Sequence, residues 1–283
     1  MQPPLILITN DDGIDSPGLH AAVKALLPMA ELLIAAPANQ QSGVGRSLLA
    51  NPAAVFQRRE IKIDGTQVEG WALDASPAVT VDHAIQCLLA GRRPDMVVSG
   101  INYGENLGTN VTVSGTVCAA IQAAIWDFKA LAVSLQVPPE FHFSYGEVDW
   151  SAAIHILRRA VEAFIHAKWP EDVDVIKIDI PDTADAATHW HVCRQSRQPG
   201  WWNLVPNAQR ETAVGDSIST QGPPPGRQWG PNDDGGILLL KRQVAITPLS
   251  VDMTARAAPA SIQEMFNKEE SFACLNPPDS INI

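Results

Sequence analysis

Leu5-Ile6-Leu7-Ile8-Thr9-Asn10-Asp11-Asp12-Gly13 decides how this chain is read. Four aliphatic residues in succession predict a strand buried on both faces, the usual state of a strand inside a parallel sheet. Asp11 and Asp12 then fall just past its carboxyl end, where open α/β sheets bind their ligands. Gly13 permits a sharp turn. Ser16-Pro17 follows as an N-cap with proline at the first helical position. Adjacent carboxylates repel unless a cation or protons relieve them. A hard divalent ion with oxygen ligands is the natural relief. The blander reading of Asp-Asp-Gly is a polar turn, and the loops that share its sheet edge argue against it.

Leu19, Ala22, Val23, Leu26 and Leu27 recur at helical spacing through residues 17–29, and Leu32 to Ala36 is a second strand. This is a βαβ unit, with a right-handed crossover expected. A polar loop, residues 38–47, leaves the second strand at the same edge as Asp11 and Asp12. Residues 61–73 read as a hairpin, and Ser76-Pro77 opens a helix to about Leu89. The short strand Asp95 to Ser99 runs into a Gly/Asn-rich loop, residues 100–108. A helix opens at residues 113–116 and runs to Asp127. A strand at 130–135, an amphipathic helix over 149–168 and a strand at 173–180 complete the alternation. The fold class is α/β: a mostly parallel sheet between two helical layers. Residues 1–181 form the core. Residues 182–283 read as extended arms, a hairpin and a tail that complete the core and an oligomer interface. Within them, 237–246 is expected as a strand and 259–267 as a short helix before a loose tail.

At 283 residues with 46% apolar content, the chain has material for one large core. Its formal charge of −11 argues against a surface that tracks nucleic-acid polymers. Cys87, Cys118, Cys193 and Cys274 are widely spaced, and read as buried thiols of a reducing compartment. The first residues lack the basic region of a signal peptide, and no run is long enough to span a bilayer. A soluble, cytoplasmic protein is expected.

Three loops at one sheet edge carry the chemistry: Asp11 and Asp12, then Asn39 and Ser42, then Ser99 and Asn102. Carboxylates, hydroxyls and amide carbonyls form an all-oxygen set. That set suits Mg²⁺ or Mn²⁺ and disfavours a zinc-type site. Ser114-Gly115-Thr116 at a helix start offers backbone N–H groups to an anion, and with Asn39 forms the candidate phosphate seat. Plain capping is the simpler role for Ser114 and Thr116. Metal beside anion seat points to a phosphate monoester, with the metal polarising the ester and acidifying water. Either aspartate also suits a general base or a nucleophile. Neither glycine loop fits the dinucleotide fingerprint or a P-loop.

These residues also carry a resemblance. Ile8-Thr9-Asn10-Asp11-Asp12-Gly13, Gln41-Ser42-Gly43, Ser99-Gly100-Ile101-Asn102-Tyr103-Gly104 with Asn106 and Gly108, and Ser114-Gly115-Thr116-Val117 resemble, in order, the motifs of the SurE family of survival-protein nucleotidases. Ile178-Asp179-Ile180-Pro181 and Ile246-Thr247-Pro248-Leu249 extend the likeness along most of the chain. The resemblance implies a Rossmann-like core and a divalent-metal-dependent 5′/3′-nucleotidase of nucleoside monophosphates, often active on short polyphosphate. It also implies homodimers or homotetramers built partly by exchanged C-terminal extensions. The implied metal ligands are Asp11, Asp12, Ser42 and Asn102, one ion per subunit, with Asp11, Asp12 and Asn102 catalytic. Val113 stands where the family usually has tyrosine and Cys118 where glycine is common; the ligand positions are untouched.

Other features take plainer readings. His189-Trp190-His191 has the spacing of a metal pair on a strand but no acidic partner nearby, so a surface or interface role is favoured. Trp201 and Trp202 suit an oligomer interface better than a nucleobase platform. Residues 200–235 also have the make-up of a lid. Arg46 is either a solvated loop residue or a contact for phosphate. A nucleotide-binding regulator that keeps the site without chemistry is the alternative to the enzyme. An aspartyl-phosphate hydrolase is disfavoured by the absent Asp-x-Asp spacing.

Overall fold

β1 (Leu5–Thr9) is buried along its whole length, as its unbroken aliphatic run requires. The computed structural model describes residues 2–142, 144–256 and 259–269. The loose tail after 269 and Cys274 lie outside the described residues. From β1 the chain passes through α1 (Pro17–Leu26) to β2 (Glu31–Pro37). A hairpin follows, β3 (Gln57–Ile63) and β4 (Thr66–Leu73). Asp64 and Gly65 both take positive φ at its tip, as a two-residue hairpin turn of this hand demands. Then come α2 (Pro77–Cys87), β5 (Met96–Tyr103), α3 (Gly115–Ala124), β6 (Ala130–Leu135), α4 (Ser151–Phe164) and β7 (Val175–Ile180). β8 (Trp190–Val192), β9 (Trp201–Leu204), β10 (Ile218–Gln221) and β11 (Val244–Leu249) follow. The first compact unit ends at Val251; a second begins at Asp252 and contains α5 (Pro259–Glu269).

Nine strands form one sheet in the order β3-β4-β2-β1-β5-β6-β7-β11-β8, and β9 and β10 form a separate hairpin. The six strands from β4 to β7 run parallel; β3 and β11 are antiparallel to their neighbours β4 and β7. α1 and α4 cover one face, packing on Ile6, Ile8, Val98 and Ile178. α2 and α3 cover the other, over Leu7, Val97 and Ala132. The expected three-layer α/β architecture is present. From β1 the chain first builds outward through β2 and later returns on the other side with β5. The strand order therefore reverses between β2 and β5 about β1, and the carboxyl ends of the strands at such a reversal are the standard ligand position of these sheets.

Three expectations need correction. Residues 237–246 are not one strand. Gly236–Leu240 forms a π-helical turn, and the strand begins only at Val244. The run Ile237-Leu238-Leu239-Leu240 is apolar without strand periodicity, and such a run alone does not separate strand from buried helix. Asp233 decides it: its carboxylate accepts from Gly230 N at 2.7 Å and Gly236 N at 2.8 Å and starts the turn. Second, the strand expected to stop at Ser99 continues as β5 to Tyr103, through an irregularity between Ser99 and Asn102 against β6. Asn102 thus sits on the end of a strand. Third, Cys118 and Cys193 are buried free thiols, but Cys87 is exposed. It is the last residue of α2, past Ala84, the helix's final buried position.

Candidate metal centre

Asn10 shapes the turn that presents the two acids. Its Nδ2 donates to Gly13 O at 3.0 Å and its Oδ1 accepts from Gly13 N at 3.1 Å. Gly13 has φ of +102°, and a Cβ there would meet Asn39 C at 3.2 Å, so the loops after β1 and β2 lie backbone against backbone. Gln41 N donates to Asp11 O at 2.7 Å, and Gly45 N to Val113 O at 2.9 Å. The loop after β2 is therefore tied at one point to the acid turn and at another to the residue just before Ser114. Asn39 and Ser42 lie exposed on this loop.

Asp11 and Asp12 are buried. The Thr116 hydroxyl donates to Asp11 Oδ1. The backbone N–H groups of Gly115 and Thr116, at the start of α3, also point at Asp11. The N-terminus of α3 is therefore aimed at this carboxylate. Ser114 caps the helix, its Oγ accepting from Val117 N at 3.1 Å. Gly115 has no alternative here: a Cβ would lie 2.6 Å from Asp11 Oδ2. Asp12 Oδ2 accepts from Tyr103 N at 3.1 Å, which brings the end of β5 against the acid pair. Asp12 Oδ1 accepts from Gln40 Nε2, also at 3.1 Å. Asn102 Nδ2 donates to Gly104 O at 2.6 Å, which leaves Oδ1 as the amide's acceptor atom. Ser99 pairs in register with Thr9 beneath the site; both hydroxyls are buried, and neither has a hydrogen-bond partner among the described residues.

The electrostatics follow from burial. Burial pushes Asp11 up to about 6, opposed by Thr116 and the α3 amides. Burial and then the charge of Asp11 push Asp12 up to about 8, opposed by Tyr103 N–H and Gln40. Among the described residues no Lys or Arg forms an ion pair with either carboxylate. Nor is there a group of three His, Cys, Asp or Glu placed to hold a metal ion. An ion bound here would draw its remaining ligands from neutral oxygens. Two adjoining buried carboxylates without a counter-ion, bordered by an amide and a hydroxyl, fit a hard divalent cation.

Residues 6–200 match the family described as survival protein SurE. The chain belongs to the SurE family. A relative named 5′-nucleotidase SurE, from Thermococcus kodakarensis, is 34% identical over 259 residues, 89% of this chain and 94% of the relative. One of the same name from Archaeoglobus fulgidus is 36% identical over 263 residues, 88% and 92% of the two chains. The crystal structure of the SurE protein from Aquifex aeolicus superimposes with a TM-score of 0.71 at 25% identity, covering 93% of this chain and all of that one.

Several residues around the SurE-family site carried no signal in the sequence reading. Gln40 bridges Asp12 and the backbone of His142, whose O it reaches at 2.8 Å. Tyr145 donates to Asp12 O at 2.5 Å. Both contacts involve the connection between β6 and α4, which has no periodicity. Its length was the available clue, since long irregular connections inside α/β domains are often functional. Burial pushes the Cys118 thiol up to about 11, with Arg46 opposing and Asp11 reinforcing, so Arg46, itself exposed, acts on the thiol two residues past Thr116. Trp201 meets the His142 ring edge-on at 4.9 Å. Asn110 grips the Trp201 backbone on both sides, at 3.1 and 3.0 Å. Trp190 carries Arg159 over its ring at 4.9 Å.

Proposed function

We propose that this chain is a divalent-metal-dependent phosphomonoesterase, a 5′-nucleotidase that hydrolyses nucleoside monophosphates. One observation carries the reading: two adjoining buried carboxylates without a counter-ion among the described residues, set against the N-terminus of a helix. Asp11, Asp12, Ser42 and Asn102 are the proposed ligands, for one Mg²⁺ or Mn²⁺ per subunit. Bound there, such an ion supplies Lewis acidity toward a phosphoryl oxygen and an acidified water. The chain's own part is placement. The α3 amides hold Asp11, Gln40 and the Tyr103 N–H hold Asp12, and the Gly104 carbonyl orients Asn102. Asn39, Ser114, Gly115 and Thr116 are proposed to border the substrate phosphate, which would share the N-terminus of α3 with Asp11. The names of the relatives support nucleotides as the substrate class.

The reading extends to short polyphosphate as a second substrate, to a cytoplasmic enzyme and to a homodimer or homotetramer. The last places residues 182–283 as arms of an oligomer interface, to be checked by light scattering. No helix among the described residues is long and apolar enough to cross a membrane.

The test is phosphate release from nucleoside monophosphates and short polyphosphates, with and without Mg²⁺ or Mn²⁺. Turnover that chelator abolishes and metal restores is expected. Asp11→Asn and Asp12→Asn should each remove nearly all of it while keeping the fold. Undiminished hydrolysis in excess chelator, or thermal stabilisation by nucleotide without turnover, would overturn the proposal.

A further inference from the structure

Lys177, Asp179 and Asp234 are completely buried, far along the chain from the acid pair. Lys177 Nζ contacts Asp179 Oδ2 and reaches Asp234 Oδ2 at 3.2 Å. Burial alone would weaken the lysine's hold on its proton; the two carboxylates outweigh this and keep it charged. Both carboxylates also accept from backbone amides. Asp179 Oδ1 accepts from Asn106 N at 2.7 Å. Asp234 Oδ2 accepts from Gly108 N at 3.0 Å, and its Oδ1 from Ser196 N and Gly235 N, both at 2.9 Å. The Asn106 side chain is held in turn by Ser134 Oγ at 2.8 Å. A Cβ on Gly108 would lie 1.8 Å from Gln198 O, so the loop has no slack on that side.

The gripped amides belong to the segment that leaves β5. Asn102 donates to Gly104 O, and two residues further on the Asp179 and Asp234 grips begin. We infer that Lys177 is a positioning residue for Asn102: its buried ammonium lets two carboxylates share the interior, and those carboxylates fix the loop that orients the Asn102 amide. This rests on the proposed role of Asn102 as a metal ligand. Without Lys177 two buried anions would face each other. They would separate, take up a proton or admit water. Each outcome loosens the hold on Asn106 N–H and Gly108 N–H.

The experiment compares Lys177→Met and Asp179→Asn with the unaltered chain. Amide hydrogen exchange on metal-free protein reads the loop directly. Expected is ~10-fold faster exchange at Asn106 and Gly108, with the β1 amides unchanged. Titration with Mn²⁺ alone, followed by thermal shift, reads the site. Residues that orient ligands typically cost ~10–100-fold in affinity, and a shift at the lower end is expected. Adding Asp179→Asn to Lys177→Met removes one of the two facing anions and should restore part of the Mn²⁺ affinity. If Lys177→Met does not fold, Asp179→Asn decides: its amide oxygen still accepts from Asn106 N–H and keeps the fold, but without charge it holds the loop more weakly, so exchange should quicken and the Mn²⁺ midpoint shift. A general fall in stability with local exchange and the Mn²⁺ midpoint unchanged makes the triad a structural brace only and overturns the inference. Faster exchange with an unchanged midpoint also overturns it. If the unaltered chain takes up no Mn²⁺, the proposed function falls, and the exchange comparison alone decides the role of Lys177.

Discussion

Thr116 donates its hydroxyl hydrogen to Asp11, although 105 positions of chain separate them. Thr116 is fully buried, so its oxygen has no water to turn to. The bond favours the charged form of Asp11 against a burial that opposes it. Thr116→Val should therefore leave the aspartate less readily ionised. Losing one partner of a buried hydrogen bond costs about 1–3 kcal/mol. We expect a lower melting temperature, weaker Mn²⁺ binding and a rate profile displaced to higher pH. Thr116→Ser, which restores the donor, should recover most of each. A valine variant with the wild-type pH profile would show that the bond does not govern Asp11.

The pH dependence of the metal-free fold follows from the acid pair. Both carboxylates have folded-state values above their ordinary 3.8, Asp11 about 6 and Asp12 about 8, with burial as the main cause. Between these values the folded chain binds more protons than the unfolded one. Their ionisation therefore destabilises the fold, an effect absent below pH 4 and complete above pH 8. Metal-free protein should lose stability from these groups as pH rises through that window. Added Mn²⁺ should reverse the trend, since an ion replaces the protons. At pH 7 its binding should release about one proton, chiefly from Asp12. Calorimetry in buffers of different ionisation enthalpy measures this release; a release near zero would contradict the assignment.

Gly115→Ala separates two opposed effects. Alanine near a helix start raises helix propensity by up to ~1 kcal/mol over glycine. Here, however, the new methyl would sit 2.5 Å from Asp11 Cβ. Overpacking of this kind costs roughly 1–3 kcal/mol. The variant should be less stable and should bind Mn²⁺ more weakly, because the carboxylate must move. Thermal melts with and without Mn²⁺ check both. A gain in stability with unchanged Mn²⁺ response would show that the site has room.

What the sequence made legible is what lies close along the chain. The apolar run before Asp11, Ser16-Pro17 and Ser114-Gly115 each announce an element boundary through local chemistry, and the alternation of strands and helices implies a common edge for three loops. The buried Lys177-Asp179-Asp234 set was not legible. Lys177 and Asp179 alternate with isoleucines in β7 like the polar face of any strand. Asp234 lies in a Pro/Gly-rich stretch without periodicity. Their meeting depends on β11 returning antiparallel beside β7, and no local pattern encodes that. The π-helical turn at Gly236–Leu240 was hidden for a related reason: the Asp233 carboxylate, not the apolar run, starts it.

The connection between β6 and α4 is latched over the acid pair by two bonds of different kinds. Tyr145 donates to a backbone oxygen of Asp12, while its ring lies 5.3 Å from that of Tyr103. Gln40 reaches both the Asp12 carboxylate and the backbone of His142. Tyr145→Phe keeps the ring contact and leaves the carboxylate untouched. It should release the connection by about 1 kcal/mol, seen as faster amide exchange around Tyr145, with the Mn²⁺ midpoint unchanged. Gln40→Ala removes the latch and a donor that favours ionised Asp12. It should speed the same exchange and also weaken Mn²⁺ binding at neutral pH, with recovery at higher pH, where Asp12 ionises without help. The two variants therefore separate closure of the connection from tuning of the carboxylate. Equal Mn²⁺ affinities for both across the pH range would mean that Gln40 acts on the connection alone.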